Sequence, residues 1–520
     1  MSVHEKASNV SVGAGETAEM SMFRPPIVRS GTAALNRALF SKKVNLAAAA
    51  LKDNKLISQY RPRLSAGKEI LNVDRISPIQ PHPDKALAEQ GRKCLLLNPS
   101  VQPEAIDTWG PVLKDGVQKQ ELTVFPYELQ LDYDYWNYRD IMLSILPEEL
   151  HVEIPTGFNV AGHVAHLNLR DNYLPYKYLV AEIILDKNPQ IKTVINKIDN
   201  VGSESEFRTF QYEVLAGPDD LNVQVAESNC IFEFDYAKVY WNSKLETEHR
   251  RLINIFQPGE VVCDVMAGIG PFAVPAGKKH VFVWANDKNP ESFKCLEAAI
   301  KKNKVSLFVR PFCEDGRTFI HQAADSVLAA SLAGEHATLI HKEKKQAPAQ
   351  SNPSSKPKPP SPGDKKPAAA GKPRTTATTT REEHIPLPPT IAHFVMNLPA
   401  SAIEFLSSYR GVYAGRERLF RPHTPARLPM VHVHCFSYKA DDETPALDIC
   451  ERISREMGFE FRAAPMGDKA KEGEVGGEEE EEEEEEGVVR IHGVRDVAPA
   501  KSMYCASFRL PAAVAFAERG

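Results

Sequence analysis

Apolar runs and helical patterns alternate in the second half of the chain. Residues 261–263 and 281–285 are short apolar runs of strand length, with a helix-compatible segment between them. Phe293, Leu296 and Ile300 then recur at the spacing of one helical face. Strands that alternate with helices in this way predict a parallel sheet covered by helices, so we expect an α/β domain here.

The same pattern divides the whole chain into four sections. Ahead of the α/β region, short strand and helix patterns broken by prolines predict two smaller α+β domains. The first residues are rich in Ser, Gly, Glu and Ala, which is typical of a disordered tail. The expected sections are a disordered tail at 1–24, an N-terminal domain at 25–115, a middle domain at 120–245 and the α/β domain at 246–520.

Two low-complexity insertions interrupt the α/β domain. Residues 342–383 are rich in Pro, Lys, Ala, Ser and Thr, and residues 466–487 contain nine consecutive glutamates. Both compositions favour solvated, disordered segments. Polar loops follow apolar runs on either side of the first insertion, at 315–317 and 397–399, and we interpret both as loops at strand ends of one sheet. The ends of the insertion must then meet, which costs only a logarithmic entropy of loop closure.

Composition excludes several classes of protein. The 520 residues exceed what one core holds, and the eight cysteines form no C-x-x-C pair, which argues against a zinc ribbon and a disulfide framework. The net charge of −6 does not indicate a nucleic-acid-binding protein. No apolar run approaches the roughly 18 residues of a membrane span, so we expect a soluble protein.

A glycine loop follows the first apolar run of the α/β domain. Asp264 ends that run, Gly268 and Gly270 allow a sharp turn close to a ligand, and Asp287 ends the next run, where a carboxylate could chelate a ribose diol. A dinucleotide site is the main alternative, but Pro271 removes a backbone N–H that a pyrophosphate would need. The loop therefore favours S-adenosylmethionine (SAM), with another nucleotide or a structural turn as alternatives.

Asn397-Leu398-Pro399 follows another apolar run, 394–396. Ligands of doubly wound sheets bind beyond the carboxyl ends of the strands, so this amide is expected in the same crevice as Asp264 and Asp287. It could present one acceptor and two donors to the edge of a target base. An ordinary helix-capping turn is the structural alternative.

Several ordered motifs across the chain resemble the eukaryotic and archaeal tRNA (guanine-37-N1)-methyltransferases. They lie at 166–171, 174–176, 186–189, 207–209, 239–243, 247–249, 264–272 and 396–399. The resemblance is dense over about 160–320 and 390–440, and loose in the first 110 residues and the C-terminal strands. The two insertions depart from the compact archaeal proteins, as does Asn172, where an acidic residue is common.

The resemblance implies a Rossmann-like SAM-dependent methyltransferase that transfers a methyl group to N1 of guanosine 37 in tRNA. It assigns Glu248 as the general base for N1, Arg208 as the cation at O6 and Asn397 as the residue that holds the base. Without the resemblance, Glu248 and Arg208 would be ordinary charged residues. Tyr240 could pack against the base or the cofactor, although a core tyrosine is more common.

The cofactor residues expected from the loops and the resemblance form one set, with no metal ligands. They are His249, Asp264, Gly268, Gly270, Asp287, Lys288, Asp315, Gly316 and Asn397. Asp315 is expected to bind the adenine amino group.

The resemblance also sets expectations for partners and place. The substrate is tRNA, recognised in part by the N-terminal domain, and the protein is expected to be a monomer with no membrane partner. A basic, acid-free stretch at 20–52 resembles a transit peptide, although a basic first helix of a folded domain suits it better. We expect the cytoplasm, the mitochondrial matrix and the nucleus as locations. Two alternatives remain, an aminocarboxypropyl transferase of the wybutosine pathway and a non-catalytic RNA-binding scaffold.

Overall fold

The computed structural model describes residues 22–29, 34–198, 207, 211–344, 378–464 and 486–519. Contacts divide the chain into two compact units. The first consists of Met1–Asp199 with Gln211–Asp220, and the second of Asn200–Phe210 with Leu221–Gly520. Most of the predicted N-terminal tail, residues 1–21, lies outside the described residues.

The first unit begins with an antiparallel sheet in the order β2-β3-β1-β4. Side chains of the strand β1 alternate between two cores: Val44 and Leu46 face one, and Ala47 and Ala49 face the other. The elements are β1 (Lys42–Leu51), α1 (Ile57–Ala66), β2 (Ile79–Pro81), α2 (Lys85–Glu89), β3 (Lys93–Leu96), α3 (Pro111–Gln118) and β4 (Leu122–Leu131), with 3-10 turns at Arg37–Phe40, Asn54–Leu56 and Ile106–Thr108.

A second sheet in this unit has the order β5-β6-β7-β8, with a parallel pair at its centre. Its elements are α4 (Tyr138–Ile145), β5 (Asn159–Ala161), β6 (Val164–Leu167), α5 (Lys177–Lys187), β7 (Thr193–Lys197) and β8 (Tyr212–Ala216), with 3-10 turns at Tyr133–Tyr135, Glu148–Leu150 and Asp171–Tyr176. The apolar spacing at 176–185 suits a helix and the run at 193–195 suits a strand, and these segments correspond to α5 and β7. One core cluster includes residues from both sheets, such as Leu46 of β1 and Val194 of β7.

These pairings place the domain boundaries differently from the sequence analysis. The strand β4 pairs with β1 over ten residues, so the first sheet is incomplete without Leu122–Leu131 and no boundary falls at 115–120. The predicted middle domain also extended to 245, whereas the second unit already includes Leu221 onward. Backbone pairing and the shared core, which local patterns do not reveal, decide both boundaries.

The second unit contains an eight-stranded sheet in the order β13-β12-β11-β16-β17-β20-β19-β18. The strands β13, β12, β11, β16 and β17 are parallel, and β17, β20 and β19 pair antiparallel. Its strands are β11 (Val261–Asp264), β12 (Phe282–Asn286), β13 (Val309–Phe312), β16 (His393–Met396), β17 (Met430–Tyr438), β18 (Arg462–Ala463), β19 (Val488–Ala498) and β20 (Lys501–Arg509). The expected α/β fold is confirmed.

Helices and two hairpins complete this unit. The hairpin β9 (Asn222–Glu227) and β10 (Cys230–Asp235) precedes the helices. The helices are α6 (Glu246–Ile255), α7 (Ala273–Lys278), α8 (Pro290–Asn303), α9 (Gly316–Leu332), α10 (Thr444–Met457) and α11 (Ala512–Ala515), with 3-10 helices at Ser243–Leu245, Ala402–Tyr409 and Glu417–Leu419. None of the helices in the described residues is long and apolar enough to cross a membrane.

The strand order creates a switch point between β11 and β16. From β11 the chain adds β12 and β13 on one side, and it then returns to add β16 and β17 on the other. Helices therefore leave β11 and β16 in opposite directions, and a crevice opens beyond their carboxyl ends.

The predicted bounds of the first insertion are too wide, because strands occupy both of its ends. The hairpin β14 (His336–Lys344) and β15 (Thr378–Pro386) occupies both ends of the predicted 342–383 insertion. Residues 345–377 lie outside the described residues, as do 465–485 of the second insertion. At positions 336–341 and 381–386, charged and polar side chains suit the hairpin strands because most of these positions are exposed.

Candidate active site

Loops at the carboxyl ends of β11, β12, β13 and β16 surround a cavity of about 400 Å³. This volume is within the range of small-molecule sites. An aromatic stretch at 240–242, just ahead of α6, completes the wall. The cavity lies at the switch point, where open α/β sheets bind their ligands.

The glycine loop forms the floor of this cavity. Gly268 and Gly270 have φ angles of +56° and +95°, which favour glycine. A Cβ on Gly268 would meet open space, and this residue lines the cavity. A Cβ on Gly270 would lie 2.7 Å from Cδ1 of Leu296. Gly270 is therefore needed for helix packing, and it is not among the described residues of the wall.

Asp287 fastens the glycine loop to the end of β12. Its Oδ2 accepts a hydrogen bond from the Gly268 backbone N–H at 2.8 Å, and its Oδ1 accepts one from Asn289 N–H at 2.9 Å. Burial raises the pKa of Asp287, and the two backbone donors oppose that shift. The carboxyl lines the cavity, as predicted, and its ribose role stays a prediction.

Asp315 and Lys288 form an ion pair on the same wall. Lys288 Nζ lies 3.2 Å from Asp315 Oδ2, and Asp315 Oδ1 caps α9 by accepting from Arg317 N–H at 3.0 Å. The backbone hydrogen bond from Arg317, followed by the contact with Lys288, lowers the pKa of Asp315. Gly316 follows on the wall, where a Cβ would crowd Val265 Cγ1 at 3.1 Å.

Asn286 is a wall residue that the sequence analysis missed. Its amide donates to the carbonyls of Val265 and Glu314, both at 3.0 Å, and accepts from Glu314 N–H at 2.8 Å. One buried side chain thus joins the loops after β11 and β13. A polar residue at the end of an apolar strand was the available signal.

Asp264 is fully buried at the end of β11, and neither carboxyl oxygen has a hydrogen-bond partner among the described residues. Burial raises its pKa to about 8, and the nearby Asp287 adds to the shift. A buried carboxyl without a donor stays protonated unless a cation approaches. Asp264 is not part of the described wall, so its predicted cofactor role would act from behind the glycine loop.

Asn397 lines the cavity from the end of β16. Its Oδ1 is buried and accepts no hydrogen bond within the described part of the chain. An unsatisfied buried amide oxygen costs about 1–3 kcal/mol, so such a group is favoured where a ligand supplies the donor. This observation and the open space at Gly268 fit an adenosine-type cofactor with a substrate beside it.

Aromatic side chains form the remaining wall. Tyr240 is 39% exposed and lines the cavity, so it is not a core tyrosine, which was the more common alternative in the sequence analysis. Phe207, Trp241 and Phe405 also line it, and the Arg317 guanidinium lies 3.9 Å from the Phe405 ring centroid. Such rings can stack on a purine.

Glu248 lies in a buried hydrogen-bond network at the start of α6. Arg251 donates to both of its oxygens, at 2.7 and 2.8 Å, and His434 Nε2 lies 2.8 Å from Oε1. Burial alone would raise the pKa of Glu248, but the hydrogen bonds from Arg251 and His434 outweigh it and lower the pKa to about 2. Glu248 is ionised, and it is not among the described residues of the cavity wall.

The neighbouring His249 lines the cavity. Its Nδ1 lies 2.5 Å from Glu227 Oε1 at the end of β9, and both side chains are buried. The carboxylate orients the ring, so that Nε2 is the nitrogen available to a ligand.

The structure therefore brings most of the predicted cofactor residues to one cavity. His249, Gly268, Asp287, Lys288, Asp315, Gly316 and Asn397 line it, whereas Asp264, Gly270 and Glu248 lie outside its wall. Arg208 lies outside the described residues, although Phe207 lines the cavity. The functional roles of all these residues stay predictions.

A doubly wound sheet with a glycine loop at its switch point and an acidic residue after the next strand defines a SAM-dependent methyltransferase. Comparisons with known proteins agree. The TRM5/TYW2 methyltransferase domain matches residues 223–346, and the TYW2 N-terminal domain matches residues 138–220.

Curated relatives specify the family. The chain is 62% identical over 519 residues to the tRNA (guanine(37)-N(1))-methyltransferase of Neurospora crassa, covering 100% of both chains. It is 56% identical over 502 residues to the enzyme of the same name from Fusarium vanettenii, covering 96% of this chain and 98% of that one. The chain belongs to the tRNA (guanine(37)-N(1))-methyltransferase family, and it uses SAM.

A solved complex of aTrm5 with tRNALeu shares the fold. It has a TM-score of 0.52 and 17% identity, and the match covers 90% of this chain and 100% of that one.

Proposed function

We propose that this chain transfers the methyl group of SAM to N1 of guanosine 37 in tRNA, next to the anticodon. The observation that carries the proposal is the cavity at the switch point, which is lined by Asn397, whose buried amide oxygen accepts no hydrogen bond among the described residues. The identity of 62% to a curated enzyme of this activity supports the same reaction.

The bound cofactor supplies an electrophilic methyl group on a sulfonium. Gly268 gives it room, Asp287 and Asp315 offer carboxylates for ribose and adenine donors, and His249 presents Nε2 from α6. Lys288 holds Asp315 in place through their ion pair. These roles explain why polar residues occupy the strand ends of an otherwise apolar sheet.

Guanine N1 carries a proton, and its lone pair is committed to the ring until that proton leaves. Glu248 accepts the proton. Because Arg251 and His434 hold its pKa at about 2, it is always ionised but is a weak base. Proton transfer is therefore expected to accompany methyl transfer, since N1–H becomes acidic as the new C–N bond forms.

Glu248 is not among the described lining residues of the cavity, so its carboxylate must gain access to the guanine when the substrate binds. Arg251 occupies both of its oxygens, so entry of guanine is expected to displace at least one of these hydrogen bonds. Arg208 then stabilises the negative charge that develops on O6, as donors do in an oxyanion hole. Its sequence neighbour Phe207 already lines the cavity.

Asn397 orients the base. Its buried Oδ1 can accept from a guanine N–H, and its amide can donate to a ring acceptor. Orientation of reacting groups can supply roughly 7 to 11 kcal/mol of the barrier. An amide that fixes the guanine therefore contributes to the rate of methyl transfer.

The decisive experiment compares two tRNA transcripts that differ only at position 37. With G37 the purified protein should add one methyl group, mapped to N1 of that residue by mass spectrometry of nuclease fragments. With A37 it should add none. A larger adduct would indicate the aminocarboxypropyl transfer of the alternative hypothesis, and equal labelling of both transcripts would overturn the proposal.

We also propose, from the sequence, a monomer that works in the cytoplasm, the mitochondrial matrix and the nucleus. The basic stretch 20–52 is partly integrated into the fold: Arg37 pairs with Asp186, and Lys43 with Glu128. These contacts support the interpretation as part of a folded domain. The expected first helix is wrong, because the stretch forms a 3-10 turn and the strand β1. Light scattering of the pure protein and fractionation of tagged cells test the two proposals.

A further inference from the structure

His434 contacts both Glu248, the proposed general base, and the residue just before Asn397, which is proposed to orient the guanine. It lies on β17, is fully buried, and both of its ring nitrogens make contacts. Nε2 lies 2.8 Å from Glu248 Oε1, and Nδ1 lies 3.3 Å from the backbone carbonyl oxygen of Met396. Met396 is the last residue of β16 and immediately precedes Asn397, so one ring bridges the start of α6 and the end of β16.

The partners decide the charge of this ring. A backbone carbonyl only accepts hydrogen bonds, and an ionised carboxylate only accepts them. Both nitrogens of His434 must therefore donate, which requires the imidazolium form. The same argument opposes a metal site at Glu248, His434 and Cys505, whose ligand atoms lie within 4.8 Å of one another, because a ring that donates from both nitrogens has no lone pair to give.

Groups on five elements face this pair and set its charge balance. They are Arg251 on α6, Asp264 on β11, His432 on β17, His492 on β19 and Cys505 on β20. Burial opposes the charge on His434, whereas Cys505 and the Glu248 carboxylate raise its pKa. A buried cation with a carboxylate at 2.8 Å is the arrangement that satisfies these groups.

We propose that His434 is a positioning residue, a buried imidazolium that fixes the Glu248 carboxylate relative to the Asn397 loop and keeps Glu248 ionised at acidic pH. The proposal rests on the proposed function, because it takes Glu248 as the base. It adds a residue that touches neither substrate nor cofactor to the machinery of the reaction.

The first test is the pH profile of His434→Gln. Glutamine keeps a donor but carries no charge, so Glu248 should lose part of its stabilisation and become protonated at a higher pH. Single-turnover methyl transfer to a G37 tRNA, measured from pH 8.5 down to the lowest pH at which both proteins stay folded, should show a wild-type to variant rate ratio that grows by about threefold or more as the pH falls. A ratio that is constant with pH would mean a merely structural role and would overturn the proposal.

A matched control is His393→Gln. His393 is another buried histidine of the same sheet, where it contacts His432 and lies 3.5 Å from Glu260, without a contact to Glu248. Its rate ratio should be constant with pH. The SAM affinity of both variants, measured by calorimetry, separates effects on the cofactor from effects on the base.

The second test does not need the variant at position 434 to fold. In wild-type protein labelled with ¹⁵N-histidine, at least one imidazolium signal should persist at pH 8.5, where exposed histidines are neutral. It should disappear in Glu248→Gln, which removes its counter-charge. The absence of a persistent imidazolium would overturn the proposal. If wild-type protein methylates no G37 tRNA at any pH, the proposed function fails instead, and the imidazolium result still decides the charge of His434.

Discussion

Replacing Asp264 with asparagine should stabilise the unliganded protein at neutral pH. The carboxyl is fully buried and has no hydrogen-bond donor among the described residues. The folded protein must either keep it protonated or bury an uncompensated charge. Asparagine has nearly the same shape and never carries this charge.

The size of the effect follows from the two pKa values. The pKa of Asp264 is raised from 3.8 to about 8 on folding, so the folded state holds a proton that the unfolded state releases between these values. The contribution of Asp264 to the stability of the wild type therefore falls as the pH rises above about 3.8, by about 1.4 kcal/mol per pH unit, and levels off above about pH 8. At pH 7 the asparagine variant should be more stable by about 4 kcal/mol, and at pH 4 the two should be nearly equal.

Urea unfolding at pH 4.5 and pH 7 measures the stability difference between the wild type and the Asp264→Asn variant. Hydrogen exchange of peptides from β11 and β12 then shows whether the difference arises near Asp264. Asp315→Asn is the contrasting control, because the pKa of Asp315 is lowered and its loss should cost stability at neutral pH. An Asp264 variant that is no more stable at pH 7, or a stability gap that is the same at both pH values, would refute the reasoning.

Three further predictions concern the base, the loop and the first insertion. Glu248→Gln should slow single-turnover methyl transfer by about 10²- to 10⁴-fold with SAM affinity unchanged, and a wild-type rate would contradict its role as base. Gly270→Ala should lower stability by about 1–3 kcal/mol in thermal unfolding, because its Cβ would clash with Leu296, whereas Gly268→Ala, which meets open space, should cost less; equal losses would contradict the packing argument. Replacing residues 345–377 with an Asn-Gly turn should leave methylation unchanged, since the flanking strands pair up to their last residues; lost activity with intact SAM binding would show that the segment contributes to tRNA recognition.

The parallel sheet and its ligand-binding edge could be predicted because their signals are local. Short apolar runs followed by glycine or polar residues mark buried parallel strands and their loops. Gly268, Asp287 and Asn397 were found in this way, and each lines the cavity. The helix α8 could also be predicted from local signals, because Asn289 is a favourable N-cap residue and its side chain accepts a hydrogen bond from Glu291 N–H.

The remaining features depend on contacts between distant residues. No local pattern indicates that β4 pairs with β1, which removes the predicted boundary at 115–120. In the sequence, His434 is one polar residue within an apolar strand. Its contact with Glu248, 186 positions away, could not be predicted, because only the fold brings Nε2 to 2.8 Å from Oε1. The missing partner of Asp264 is likewise a property of three-dimensional packing.

Glu248 and Asp264 are both buried near the cavity but have opposite pKa shifts, and the difference fits two roles. Glu248 has cationic donors and a pKa of about 2, as a base that must be ionised requires, whereas Asp264 has none and a pKa of about 8. A cationic cofactor in the cavity should lower the pKa of Asp264, so binding of SAM at pH 7 should release up to about one proton. Calorimetry in buffers of different ionisation enthalpy measures this number, and Asp264→Asn should reduce it to nearly zero. Equal proton release by wild type and variant would show that Asp264 does not respond to the cofactor charge.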